Sequence, residues 1–129
     1  MQELFNAISN LTFASFCNRI VQKENGAVEF ELKHKFFSNQ KPEVFCTYKV
    51  DDNTIISDTS CTLKNLDDIF EMSEPDVIKN IITIMRDYDM FKIGASLIYR
   101  IDPTKDSSSE IWRFLCGIHY LSAMKVFYT

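Results

Sequence analysis

A two-residue alternation of charged and uncharged positions is the clearest pattern in the chain, and it runs from Ala27 to Phe37. Successive side chains of a strand point to opposite faces of the sheet. The pattern therefore predicts an antiparallel strand with one solvated and one buried face. The charged positions are Glu29, Glu31, Lys33 and Lys35, and the predicted buried positions are Val28, Phe30, Leu32, His34 and Phe36.

Three more short strands are predicted from apolar runs bounded by turn residues. The segment Asp51–Asn53 favours a tight turn between the second and third strands. The segments 38–42, 89–95 and 102–109 are predicted to be loops. The apolar positions are Val44, Cys46, Tyr48 and Val50 in the second strand, Ile55 and Ile56 in the third, and Leu97, Tyr99 and Ile101 in the fourth.

Apolar positions at a spacing of about 3.6 residues predict four helices. The first covers residues 2 to about 22 and stops at Asn25 and Gly26. The second begins near Leu63, with Thr62 as its N-cap.

The third predicted helix follows a capping box formed by Ser73 and Asp76, with Pro75 in its first turn. The last begins at the serines 107–109, where Glu110 suits the positive end of the helix dipole. The resulting order is αβββααβα. It predicts one α+β domain over residues 1–129, with an antiparallel sheet of about four strands and helices packed on one face.

Composition is that of an ordinary globular domain, with 46% hydrophobic and 25% charged residues. No run reaches the roughly 18 apolar residues of a membrane span, and the first residues lack the pattern of a signal peptide. The four cysteines are scattered singly, which favours reduced thiols. We therefore expect a cytoplasmic protein.

The net charge of −4 conceals an acidic segment in the middle of the chain. Between positions 51 and 76 the only cation is Lys64, whereas the rest of the chain has 13 cations and 10 carboxylates. Backbone binding to nucleic acid needs clustered basic residues, so we expect a protein partner and no direct nucleic acid or membrane partner. The candidate partner-binding residues are Asp51, Asp52, Asp58, Asp67, Asp68, Glu71, Glu74 and Asp76.

The acidic segment has two interpretations. It can imitate the charge of a nucleic acid and bind the basic groove of a nuclease or polymerase. Alternatively, it reflects turns and helix N-termini, both of which favour Asp and Glu. For Asp58 in particular, we expect a capped turn in preference to a metal or acid/base site.

No catalytic motif is present, and we predict no catalytic residues, no metal and no cofactor. The three glycines are isolated, which argues against a phosphate-binding loop. Cys116 and His119 are neighbours on a helix, but no Cys and His spacing matches a zinc site, and we interpret His34 and His119 as buried structural residues. An alternative is an enzyme or ligand-binding domain with a pocket between the sheet and the last helix, using His34, His119, Tyr99 or Cys116.

Three pieces of sequence resemble a family of small uncharacterised domains of bacteria and their phages, over about residues 27–125. Its turn signature, (I/L)-(T/S)-D-D-G-x-T-L, corresponds to Ile56–Leu63, its aromatic link to Tyr88–Phe91 and its last helix to Ile111–Leu121. Here Thr59 replaces the second Asp and Ser60 the Gly, so a turn that needs a left-handed glycine must be built differently.

The resemblance implies a mobile-element setting in a bacterial host cell. We therefore expect a non-enzymatic binding protein that inhibits or modulates a host nucleic-acid enzyme or defence system, in the manner of an anti-CRISPR or anti-restriction protein. Another alternative is a homodimeric module that buries the apolar arc of the last helix.

Overall fold

The computed structural model describes residues 15–37, 43–71 and 73–127. They form six strands and three helices, in the order β1β2β3β4α1α2β5β6α3. The strands are β1 (Cys17–Gln22), β2 (Val28–Leu32), β3 (Val44–Val50), β4 (Asn53–Ser57), β5 (Met90–Ile93) and β6 (Ser96–Arg100). The helices are α1 (Cys61–Ile69), α2 (Pro75–Asp87) and α3 (Ser107–Phe127).

All strand pairs are antiparallel, and the sheet has the order β1-β2-β3-β4-β6-β5. Side chains from one face of this sheet and from all three helices form a single core. The predicted α+β class with an antiparallel sheet is confirmed, with two more strands than expected. The central core residues are Phe30, Phe45, Ile56, Leu97, Leu66, Ile111, Phe114, Leu115, Ile118 and Leu121.

The first predicted helix is wrong at its C-terminal end, because Cys17–Gln22 forms strand β1; residues 2–14 lie outside the described residues. Ile20 lies directly opposite Phe30 in the β1–β2 pair. The Glu29 carboxylate forms ion pairs with Arg19 at 3.8 Å and with Lys23 at 3.4 Å. Pairing with β2 thus overrides the helical spacing of the apolar residues.

The alternation after Leu32 does not continue as a strand. Both oxygens of the buried Glu43 carboxylate accept backbone N–H bonds of 2.8 Å, from Phe36 and Phe37. The chain bends around this carboxylate, which leaves His34 exposed. The prediction that His34 is buried is therefore wrong.

The predicted inward face of β3 is also wrong. Phe45 and Thr47 point into the core, whereas Cys46 and Tyr48 lie on the opposite face and Val50 is exposed. Both faces of this strand carry apolar residues, so the alternation alone did not identify the buried one. Phe45 stacks on Phe30, with ring centroids 5.4 Å apart.

Helix starts differ from the predictions mainly in the capping group. Helix α1 begins before Thr62, which is an internal residue and not the N-cap. The Ser73 hydroxyl donates to the Glu71 carboxylate, so the capping box is absent, although α2 does begin at Pro75. Helix α3 begins at the predicted serines, but the capping carboxylate is that of Asp106, which accepts the Ser109 N–H at 3.0 Å.

The segment 89–95, predicted to be a loop, contains strand β5. Asp89 has φ 54° and Gly94 has φ 60°, and these two left-handed residues bracket the strand. A four-residue strand is too short to give a periodic signal. Strand β5 pairs with β6 through a two-residue loop and forms one edge of the sheet.

Candidate functional site

Asp58 is a buried structural residue and therefore does not belong to any acidic surface. Its Oδ1 accepts the N–H groups of Leu97 at 2.9 Å and Ser60 at 3.1 Å, and its Oδ2 accepts that of Thr62 at 2.9 Å. These bonds join the start of α1 to strand β6. The structure thus corrects the prediction of Asp58 as a partner-binding residue, because its carboxylate is not accessible.

The turn after Asp58 keeps a left-handed backbone without glycine. Thr59 has φ 52° and Ser60 has φ 69°. Side chains hold this conformation: the Thr59 hydroxyl donates to the Val44 carbonyl at 2.6 Å, and the Ser60 and Ser96 hydroxyls lie 2.7 Å apart. These hydrogen bonds stabilise a left-handed conformation that residues other than glycine rarely adopt.

The other seven candidate carboxylates are all exposed. They occupy three places: the β3–β4 turn, the end of α1 with the segment after it, and the start of α2. The ion pairs found among the described residues involve Glu29 and Asp89, and so none of these seven. In chain order they are Asp51, Asp52, Asp67, Asp68, Glu71, Glu74 and Asp76.

Two of these places have a simple structural explanation. Asp51 has φ 56° in the two-residue turn between β3 and β4, a conformation that Asp tolerates better than most residues. Asp76 lies in the first turn of α2, where a carboxylate is favourable. At these sites the structure agrees with the interpretation that turns and helix N-termini select acidic residues.

The carboxylates at the end of α1 have no such structural explanation. Asp67 and Asp68 lie in the last turn of α1, which contains no basic residue. The C-terminus of a helix carries partial negative charge, so carboxylates are unfavourable there. Together with Glu71, which follows the helix, they form what we call the α1-end carboxylates.

The residues of the predicted pocket between the sheet and α3 do not come together. Cys116 and His119 are exposed on α3, which corrects the prediction of a buried His119. The His119 ring lies 6.1 Å from both Phe36 and Tyr120, measured between centroids. The space between sheet and helix is filled by core side chains.

Tyr99 belongs to a different site, at the start of α3. Its hydroxyl donates to Glu110 Oε2 at 2.8 Å, and Glu110 Oε1 accepts the Asp102 N–H at 2.8 Å. Burial and this hydrogen bond raise the pKa of Tyr99. The sequence indicated a dipole role for Glu110 but gave no signal for this buried pair, which lines a cavity of about 340 Å³ together with Arg100 and Lys105.

A groove between α2 and β5 is a surface that the sequence did not predict. One depression of about 450 Å³ lies on α2, and a second of about 320 Å³ lies between α2 and β5. Ile82 and Arg86 line both, so they are continuous. Phe91 lines the second and is 60% exposed. The broad apolar stripe of α2 was the available signal.

Within the part of the chain that is described, no group of three or more His, Cys, Asp or Glu side chains is placed to hold a metal ion. Over the same residues, no helix combines the length and the apolar character needed to cross a membrane.

Comparison with protein-family models, curated proteins and solved structures found no match to this chain. The resemblance over residues 27–125 therefore stays a prediction.

Proposed function

We propose that the protein is a non-enzymatic binding protein that inhibits or modulates a host nucleic-acid enzyme or defence system by protein–protein contact. The contact surface would be the exposed acidic segment between positions 51 and 76, without Asp58. The α1-end carboxylates (Asp67, Asp68 and Glu71) are its centre in this proposal.

The position of Asp67 and Asp68 at a helix C-terminus is the observation that carries the proposal. Each carboxylate there destabilises the helix by about 0.3 to 1 kcal/mol. Residues that bind a partner often lower the stability of the free protein. The proposal therefore accounts for two charges that the fold of the isolated chain does not require.

A basic groove is the partner surface that these charges fit. Exposed carboxylates that outnumber the cations around them, here with Lys64 as the one cation on α1, raise the rate of association with a positively charged protein through long-range attraction. Nucleases and polymerases have such grooves because they bind phosphate backbones. The resemblance to phage and bacterial domains agrees with a partner inside a bacterial host cell, in particular a restriction or CRISPR enzyme.

Replacement of all three α1-end carboxylates by Lys tests the proposal. The tagged protein should retain a nuclease from a lysate with active restriction and CRISPR systems, at low but not at high salt. In a binding assay with the purified nuclease, the triple variant should have an affinity at least about tenfold lower than that of the parent, because three attractive contacts become repulsive.

The matched control replaces Glu24, Glu31 and Asp87 by Lys, which changes the net charge equally at positions outside the acidic segment. It should keep most of the affinity. The free triple variant should also be more stable than the parent to urea, because lysines suit a helix C-terminus. Equal binding by the triple variant and the parent would exclude this surface.

A further inference from the structure

The groove between α2 and β5 has an apolar floor. Its two depressions share Ile82, whose side chain is 55% exposed. Ile78 lines the first depression and Phe91 the second, and both are also exposed. Large apolar side chains that lie together on a surface often mark a binding site for a partner.

Two cations line the same groove. Lys79 and Arg86 are seven residues apart on α2, which is close to two helical turns. Their side chains therefore lie on one face of the helix, about 10 Å apart along its axis. The ion pairs found among the described residues involve neither of them.

The nearby carboxylates do not neutralise these cations. At 3.6 residues per turn, Asp76 and Asp87 lie about 120° and 140° around the helix from Ile82. Asp89 is the one carboxylate among the described residues that line the groove, and it pairs with Arg113 at 3.0 Å. The groove is therefore locally basic on a protein whose net charge is −4.

The dimensions of the groove suit a single helix. Helix α2 has 13 residues and is about 20 Å long. The three exposed apolar side chains supply well under the roughly 800 Å² that each partner buries in a standard interface of two folded proteins. An amphipathic helix binds such a groove through a few apolar anchors at a spacing of three or four residues.

We infer that this groove binds an amphipathic helix of a partner protein, one that carries carboxylates two turns apart beside its apolar stripe. The stripe covers Ile78, Ile82 and Phe91, and the carboxylates pair with Lys79 and Arg86. Exposed ion pairs add little affinity, so the apolar contacts supply most of the binding and the charges select the partner. The inference does not rest on the proposed function.

Two synthetic helical peptides of about 18 residues, long enough to span α2, test the inference. Both carry the same leucine stripe; one has Glu two turns apart beside it, and the other has Lys at those positions. Fluorescence anisotropy with the full chain should show binding of the Glu peptide with a dissociation constant on the order of 10 to 100 μM. The Lys peptide should bind at least about tenfold more weakly, because it meets two like charges.

The net charge of the protein predicts the opposite order, since a negative protein attracts the Lys peptide. A preference for the Glu peptide therefore reports the groove and not the general charge. A parent that binds neither peptide, or that does not prefer the Glu peptide, overturns the inference.

Charge reversal in the groove is the second test. Lys79→Glu combined with Arg86→Glu changes two exposed side chains and should reverse the preference between the peptides. The matched control combines Lys33→Glu and Lys49→Glu, which are also exposed but lie after β2 and on β3, away from α2. It should keep the preference of the parent. An unchanged preference in the groove variant contradicts the pairing with Lys79 and Arg86.

Replacement of Ile82 by Ser tests the apolar floor and the alternative occupant. It should raise the dissociation constant of the Glu peptide about tenfold, because an apolar anchor is lost. The exposed control Val50→Ser, on β3, should bind like the parent. Sedimentation of the full chain alone should show no self-association that depends on Ile82. Self-association that Ile82→Ser abolishes would assign the groove to a second copy and overturn the inference.

Discussion

At the scale of single residues, Asp58 is a buried carboxylate whose partners are backbone N–H groups. A buried charge is tolerated when hydrogen bonds replace the water that it loses. The residue type could be predicted to cap a turn, and that expectation is confirmed. The burial of Asp58 could not be predicted, because it depends on a hydrogen bond with Leu97, which comes 39 positions later in the sequence.

Replacement of Asp58 by Ala should lower the free energy of unfolding by about 3 kcal/mol, because three N–H groups lose their acceptor. Asp58→Asn should be nearly as harmful, since an amide has only one oxygen to accept them. Urea unfolding measures both. Asp52→Ala, at an exposed turn, should change the same quantity by less than about 0.5 kcal/mol. An Asp58→Ala variant as stable as this control would contradict the assignment.

Tyr99 makes stability depend on pH in the alkaline range. Its pKa is raised in the folded protein by burial and by Glu110. Below about pH 10 the hydroxyl is protonated in both the folded and unfolded states. At higher pH the unfolded state loses the proton first, so stability falls as pH rises, by about 1.4 kcal/mol per unit.

Tyr99→Phe should destabilise the protein by about 1 to 2 kcal/mol near pH 9, because Glu110 loses a hydrogen-bond donor. The difference from the parent should become small near pH 11, where the parent alone has lost the contribution of Tyr99. Urea unfolding of both proteins at the two pH values measures this. A difference that does not change with pH would contradict the role of this hydroxyl.

At the scale of elements, periodicity predicted α2, α3 and the β3–β4 hairpin, because their apolar positions are numerous and regularly spaced. It failed for β1 and β5, whose conformation depends on pairing with β2 and β6. The composition of the acidic segment identified the seven exposed carboxylates. It could not identify the α2–β5 groove, which arises only when two segments meet.

Gly117 shows how closely α3 packs against the start of β5. A Cβ atom at this position would contact Met90 Cε and would lie 3.0 Å from Tyr88 Cβ. Gly117→Ala should therefore destabilise the protein by about 1 to 2 kcal/mol in thermal or urea unfolding, even though Ala favours helices by about 1 kcal/mol. Combination with Met90→Ala should remove most of the additional loss. A more stable Gly117→Ala variant would show that Tyr88 and Met90 move aside easily.

At the scale of the whole molecule, two exposed surfaces have different chemistry. The proposed acidic surface is centred on the end of α1, whereas the groove between α2 and β5 is lined mainly by apolar side chains, among them Ile82, Met85 and Phe91.

The carboxylate of Asp58 also has a consequence for local fluctuations. Its Oδ2 bonds to the start of α1 and its Oδ1 to β6, so detachment of either element leaves part of a buried carboxylate without a donor. Helix α1 and strand β6 therefore belong to one cooperative unit. Opening of β5 alone, which makes no bond to Asp58, is expected at much lower energy than opening of β6.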